Sequence, residues 1–221
     1  MLLKIGHRGI SGRELENSLA GFKLAIKLGL EAVELDVRLS SDGVPMVFHD
    51  SLLDRLTDSS GYLEQFSSTR LDNEVRLSNG EKIPTLEDVL NLLAVSTLKV
   101  YLEIKSLHAT EAVQALVEKY LPENRAVISS FYHQELIKVK QRNKNQRTMA
   151  LFEGSPLDPL ALIVATNAEE VGLGFGSIDA GLVCALSAAG IDVYAWTVND
   201  QRDFEVAESL GLKGVFTDYP L

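Results

Sequence analysis

Glu34 and Asp36 stand two residues apart in the run Ala-Val-Glu-Leu-Asp-Val-Arg-Leu, and the same stretch ends at His49-Asp50. Val33, Leu35, Val37 and Leu39 alternate with Glu34, Asp36 and Arg38, the period of an extended strand, so both carboxylates share one face. Ser41-Asp42-Gly43 offers a tight turn in which Gly43 can take positive φ, and the extended run 44–48 then brings His49 back toward the acids. Two carboxylates and an imidazole suit metal binding or general acid–base chemistry. A strand with one solvated polar face would explain this stretch by itself. It does not explain why similar residues recur at other strand ends, in His7-Arg8-Gly9, Glu103-Ile104-Lys105, Trp196 and Thr217-Asp218.

Taken singly, each of these has a structural explanation. A lone histidine on a strand is usually a hydrogen-bonded core or rim residue, and a Glu-x-Lys pair is usually an inward ion pair. Three acids and a histidine arriving from three strands, with a second histidine on a hairpin, need more than that. Like charges crowded together cost free energy unless something neutralises them. A divalent cation on Glu34, Asp36 and Glu103 would do so, and three carboxylates with no thiolate make a hard site: Mg²⁺ or Ca²⁺, with Mn²⁺ permissible. The two histidines could instead bind zinc. They equally suit acid–base work, because an ordinary pKa of ~6.5 lets one ring be protonated and the other neutral near neutral pH. Arg8 and Lys105 add fixed positive charges fit for an anionic substrate.

The elements that must carry these residues follow from hydrophobic period and turn chemistry. The first short strand ends at His7. Asn17 or Ser18 caps a helix that buries Leu19, Phe22, Ala25 and Ile26 and stops at Gly29. Residues 51–84 lack a sustained period and carry turn signals at 58–61 and 78–80, so they read as an inserted set of loops holding at most a small hairpin. Thr85 and Asp88 form a capping box for a helix burying Leu86, Val89, Leu90 and Leu93. Strands are expected at 98–105, 126–130, 149–152, 170–173, 192–198 and 214–216. Helices are expected from Thr110, from His133 to Arg142, from Pro156, from Ile178 to Gly190, and from Asp200 to Gly211. With 44–48 as a hairpin arm of the second strand, eight strands alternate with helices, the pattern of an α/β protein with a parallel sheet. Eight such units in roughly 220 residues predict a single (β/α)8 TIM barrel over 1–221; an open doubly wound sheet is the runner-up, but no glycine-rich phosphate loop follows the first strand. In a barrel the polar strand ends all fall at one mouth.

Composition sets the remaining bounds. The 221 residues, 46% hydrophobic, can bury a large core without disulfides, and the one cysteine, Cys184, lies in an apolar helical run as a small core residue. The start Met-Leu-Leu-Lys-Ile is too short for a signal peptide, and no stretch reaches the ~20 apolar residues of a membrane span, so the expected compartment is the cytoplasm. A net charge of −10 excludes a nucleic-acid partner, which needs a basic face, but not a phosphorylated small molecule.

Together His7-Arg8-Gly9, Glu16-Asn17, Glu34-x-Asp36, Asp42-Gly43 with His49-Asp50, Ile83-Pro84-Thr85-Leu86, Glu103-x-Lys105, Ser130-Phe131, Trp196-Thr197-x-Asn199 and Thr217-Asp218-x-Pro220 resemble the glycerophosphodiester phosphodiesterase family, in order and over essentially the whole chain. The resemblance implies a phosphoric diester hydrolase of glycerol and lipid metabolism. Its expected reaction converts glycerophosphodiesters, such as glycerophosphocholine or glycerophosphoethanolamine, to sn-glycerol 3-phosphate and an alcohol. It implies His7 and His49 as general acid and base, Glu34, Asp36 and Glu103 as ligands of one divalent cation, Arg8 and Lys105 on the phosphate, and Trp196 as a wall of the glycerol or alcohol pocket. It also places 51–84 where the family carries an insertion over the barrel mouth. The family's Pro-Glu-Asn-Thr here reads Leu15-Glu16-Asn17-Ser18, which should loosen the helix entry. Relatives commonly continue into a final helix, whereas only Tyr219-Pro220-Leu221 follows the last strand here. Its outward residue, Val215 or Phe216, should therefore be covered by the helices at 18–28 and 201–210 or, alternatively, in a weak homodimer. The competing readings are a membrane-lipid or lysophospholipase D-type phosphodiesterase of the same layout, a non-catalytic phosphodiester-binding module, and a scaffold.

Overall fold

Eight parallel strands close on themselves in the order the alternating pattern predicts. The computed structural model describes residues 2–122, 124–154 and 156–220. The elements in its first half are β1 (Leu3–Gly6), α1 (Leu19–Leu28), β2 (Ala32–Leu39), β3 (Pro45–Val47), α2 (Ser68–Glu74), α3 (Leu86–Ala94), β4 (Lys99–Ile104) and α4 (Thr110–Tyr120). The second half continues with β5 (Ala126–Ser130), α5 (His133–Arg142), β6 (Arg147–Phe152), α6 (Pro159–Thr166), β7 (Glu170–Gly174), α7 (Ala180–Ala188), β8 (Asp192–Trp196), α8 (Gln201–Ser209) and β9 (Gly214–Thr217). The strands neighbour one another in the order β1-β2-β4-β5-β6-β7-β8-β9, and β9 pairs back onto β1, so the sheet is a closed (β/α)8 barrel. β3 lies antiparallel on β2, placing Val47 opposite Val37.

The two-residue period of each strand sorts the core. Ile5, Ala32, Tyr101, Val127, Met149, Leu151, Tyr194 and Phe216 fill the barrel interior. Their neighbours Val33, Leu35, Val100, Leu102 and Ile128 point outward against α1, α3 and α4. Along β4 the inward positions are therefore Lys99, Tyr101, Glu103 and, one step beyond the strand, Lys105, running from the bottom of the barrel to its mouth.

Local chemistry explains where the helices begin and end. Ser18 accepts from the Gly21 N–H, and Gly29 closes α1 in the left-handed region at φ 68°. At the position where the family carries proline, the Leu15 carbonyl accepts from Ser18 Oγ at 2.7 Å. Thr85 and Asp88 form the expected capping box of α3.

Four expectations are corrected. α6 starts at Pro159 rather than Pro156, because Asp158 is the cap: its carboxylate accepts from the Ala161 N–H, and proline suits the first turn. α7 likewise starts at Ala180, behind the cap Asp179. Cys184 is exposed, not core; Val183 and Leu186 carry α7's contact with the barrel, and one residue along a helix turns the side chain ~100° away. Finally, 51–84 is not only loop. It holds a 3₁₀ turn (Leu63–Gln65) and α2, capped by Ser67, and it has its own hydrophobic cluster of Met46, Phe48, Leu53, Leu63, Leu71 and Val75. No paired hairpin forms there among the described residues, only the isolated bridges Leu52 to Tyr62 and Thr57 to Leu77. Two turns of helix anchored by Leu71 and Val75 are too short to show a sustained period in the sequence.

The last strand is covered. Phe216 points into the barrel, and Val215, fully buried, packs outward in one cluster with Phe204 and Ala207 of α8, with Leu2 and Leu210 against its edge. α8 rather than α1 closes the seam, since Phe22 and Ala25 of α1 belong to the opposite cluster. Met1 and Leu221, the two ends of the sequence, lie outside the described residues.

Candidate active site

Glu34, Asp36, Glu103 and Trp196 sit at the mouth because they fall on inward positions near the C-terminal ends of β2, β4 and β8; His7, Arg8 and Lys105 follow just after β1 and β4, and His49 arrives on the antiparallel arm after β3. His7, Arg8, Glu34, His49, Glu103, Lys105 and Trp196 all line one cavity of about 280 Å³. Asp36 alone is not part of the cavity wall and is 1% exposed. β2 and β4 pair with Asp36 opposite Glu103, and ligand oxygens of Glu34, Asp36 and Glu103 lie within 4.8 Å of one another. Trp196, on β8 across the barrel from β4, meets Phe131 edge-to-face at 5.6 Å.

The backbone at the first strand end is held in an uncommon shape. A Cβ on Gly6 would meet the Gly9 carbonyl oxygen at 2.1 Å, so this fold-back admits only glycine. Arg8 has φ 50°, and its N–H donates to Glu34 Oε2 at 2.9 Å. Asn17, also left-handed at φ 55°, donates from Nδ2 to Asp36 at 2.8 Å and accepts the Asp36 N–H. Strain of this kind persists only where its surroundings over-determine it, and here both residues grip the acidic cluster.

Each histidine is held by its own carboxylate. His7 Nδ1 lies 2.8 Å from Asp218 Oδ1, and His49 Nδ1 lies 2.6 Å from Asp50 Oδ1. That leaves Nε2 as the ring nitrogen each can offer to the cavity. Their pKa values move in opposite directions. Burial pulls His7 down, but the Asp218 bond and the charges of Glu34 and Asp36 outweigh it, so His7 is raised. Burial also pulls His49 down, and Lys105 and Arg8 help it to outweigh Asp36 and Asp50, so His49 is lowered.

The carboxylates divide as well. Burial, then the charge of Asp36, pushes Glu34 up to about 8, and the same two causes raise Glu103. Burial would raise Asp36 too, but Lys105, Arg8 and His49, with the Asn17 amide, hold it below the usual range. Lys105 Nζ lies 2.8 Å from Glu103 and 3.5 Å from Asp36. Arg8 Nε lies 3.3 Å from Asp36, close enough to attract but not aligned for a hydrogen bond. Glu34 has no ion pair among the described residues and accepts only that one backbone N–H from Arg8. A buried carboxylate without a cation, beside two more, fits an oxygen-ligated divalent ion. The acidic triad can bind a metal.

Sequence reasoning assigned no role to Asp50, Asp218, Glu16, Arg55 or Phe131. Asp50 follows His49 directly and Asp218 follows the last strand, so a carboxylate just past each of these segments was the available signal. Arg55 gave none, because its partners Glu16 and Asp50 meet it only through the tertiary fold.

A TIM barrel whose mouth gathers two carboxylate-held imidazoles, an acidic triad and two fixed cations defines a hydrolase of phosphoric diesters. The model of the glycerophosphoryl diester phosphodiesterase family matches residues 7–221, and the chain belongs to that family. A glycerophosphodiester phosphodiesterase of Caldanaerobacter subterraneus is 32% identical, over 99% of this chain and 94% of its own. Human glycerophosphodiester phosphodiesterase 1 is 35% identical over 64% of this chain and 46% of its own. Among solved structures, a phosphodiesterase of Oleispira antarctica in complex with the product sn-glycerol 3-phosphate superposes with a TM-score of 0.93 at 28% identity, covering 98% of this chain and 93% of that one. The glycerophosphodiester phosphodiesterase of Thermotoga maritima gives 0.84 at 28% identity, covering 100% and 96%.

Proposed function

We propose that this chain hydrolyses glycerophosphodiesters, among them glycerophosphocholine and glycerophosphoethanolamine, to sn-glycerol 3-phosphate and an alcohol. One observation carries the reading: two histidines, each tied through Nδ1 to its own carboxylate, line the same cavity as the acidic triad. The product complex of the Oleispira antarctica relative supports the same substrate half.

The geometry supports the following roles. His49, whose pKa is lowered, takes the proton from the attacking hydroxyl, while His7, raised by Asp218, donates one to the departing alkoxide. Asp50 and Asp218 fix the tautomer of each ring and steady the imidazolium when it forms. Arg8 and Lys105 hold the phosphate oxygens, and their charge counts for most when the phosphorus becomes pentacoordinate and gains negative charge. Trp196 and Phe131 form the apolar wall for the glycerol or alcohol carbons. One Mg²⁺ or Ca²⁺ ion, with Mn²⁺ also suited, would be held by Glu34, Asp36 and Glu103 and would supply neutralising charge at the phosphoryl oxygens.

The chain serves as one catalytic unit, with 51–84 forming part of the rim around the mouth. It acts as a monomer, which the buried Val215 seam favours, and in the cytoplasm, which suits a chain whose only cysteine is free. No described helix is long and apolar enough to cross a membrane. Release of glycerol 3-phosphate in a coupled assay, across diesters with different head groups, tests the function. Turnover of several head groups at comparable rates is expected. Intact diesters after incubation with cation would overturn the reading.

A further inference from the structure

Arg55, in the segment 51–84, lies outside the cavity and is about half exposed, yet it touches the partners of two site residues. Its Nη1 and Nη2 donate to the two carboxylate oxygens of Glu16, each at 2.8 Å. Its Nε and Nη2 donate to Asp50 at 2.6 and 3.1 Å. Glu16 in turn accepts from Arg8 Nη1 at 2.7 Å, and Asp50 holds His49 Nδ1 at 2.6 Å. A single planar guanidinium thus joins two chains of contact, Arg55–Glu16–Arg8 and Arg55–Asp50–His49. Glu16 and Asp50 are acidic and near each other; without a cation between them they would repel, and each would lose its fixed orientation.

We propose that Arg55 is a positioning residue, which sets Arg8 and His49 together by clamping Glu16 and Asp50 in one bidentate fork. It touches no reacting atom. Its effect is indirect: Asp50 can orient the His49 ring only while Asp50 is itself held, and the same is true of Glu16 and Arg8. Arginine is required because only its fork presents parallel N–H donors to two carboxylates; a lysine ammonium supplies the charge without that geometry. The segment 51–84 is thereby part of the active site's frame and not only a rim.

This inference rests on the proposed roles of His49 and Arg8, and its test has one readout that does not. In unaltered protein, the ¹⁵N ring resonances of His49 should report a fixed Nδ1–H tautomer. Arg55→Ala and Arg55→Lys should both shift them and leave those of His7 in place. Unmoved His49 resonances in both variants would overturn the proposal whatever the enzyme's substrate.

The second readout is kinetic. Arg55→Ala should lower kcat/KM about 10²-fold, the scale expected when a reacting group is misplaced by about an ångström. With Arg55 present, the losses from Glu16→Gln and Asp50→Asn should combine with a departure of about threefold or more from their product; with Arg55→Ala they should simply multiply. Losses that multiply in both backgrounds would show that Arg55 does not couple the two arms. If Arg55→Ala folds poorly, Arg55→Lys retains the charge and stem and should show the same loss of coupling.

Discussion

The barrel holds one ionic cluster at each end, both on inward-facing positions with β4 contributing to each, and the two are wired differently. At the bottom, Glu170 is fully buried and accepts from Arg147 at 2.9 Å and from Lys99 at 3.4 Å, while Arg147 also reaches Asp192 at 3.3 Å. Two carboxylates there face Lys99 and Arg147, with Lys213 Nζ a further 3.9 Å from Asp192, and the phenol of Tyr101 closes the layer by bonding Lys99 and Tyr194. At the mouth, three carboxylates, Glu34, Asp36 and Glu103, face Arg8 and Lys105, one cation short, and Glu34 has no ion pair among the described residues. The balanced cluster is structural, and the unbalanced one is poised to receive charge. Lys99, which opens β4, and Lys105, one step beyond it on the same face, belong to different chemistries because of where each lies along the barrel axis.

The largest effects should separate the two ends. His7→Ala and His49→Ala should each lower turnover ~10²-fold or more with the fold intact, since general acid–base steps contribute that much. Glu170→Gln should do the reverse. It leaves Arg147 and Lys99 without their shared counter-charge and should cost ~3 kcal/mol, the lower end for a broken buried pair because both cations are about a third exposed. Thermal melts and steady-state kinetics on the same samples would check this. Histidine variants that keep near-normal turnover would remove both rings from the proton transfers.

The excess of carboxylates at the mouth sharpens the comparison further. Adding Mg²⁺ or Ca²⁺ at a hundred times its dissociation constant should stabilise the protein by ~2.7 kcal/mol, and a chelator should remove both that gain and the activity. Metal-free protein with full activity would refute the assignment. The pH dependence has a definite sign. Unfolded, Glu34 loses its proton near 4.5; folded and cation-free, it keeps it up to about 8. Between those values the native state binds more protons than the unfolded state, so stability falls as pH rises. In chelator, Glu34→Gln should therefore melt progressively above the unaltered protein from pH 5 to 8, and cation should abolish the trend. A constant gap would show that Glu34 ionises at its ordinary value.

Much of this was legible in the chain itself. The period of two along 32–39 and 98–105 put Glu34, Asp36, Glu103 and Lys105 on inward faces, and alternation with helices put those faces in one barrel. What period cannot show is pairing between distant segments. Asp218 reaching His7, and Arg55 reaching across to Glu16, depend on barrel closure and on how 51–84 docks. The helix α2 escaped notice because its anchors Leu71 and Val75 pack on Met46 and Phe48, not on a repeating stripe. Cys184 was misplaced because α7 is apolar on several faces, so composition could not say which face meets the barrel.

The finest comparison uses the matched lysines. Lys99→Met keeps an unbranched stem and removes the ammonium, which donates 2.9 Å to the Tyr101 hydroxyl and attracts Glu170. Arg147 still neutralises Glu170, so the loss should be small, about 1 kcal/mol, as for a partly exposed ion pair. In a chain of this size that lowers the melting temperature by roughly 2–4 °C. Turnover should not change, because the interior layer of Tyr101, Tyr194 and Phe216 separates Lys99 from the cavity. A fall in kcat/KM with Lys99→Met comparable to that from Lys105→Met would mean that charge at the bottom is felt at the mouth, and the two clusters would have to be treated as one.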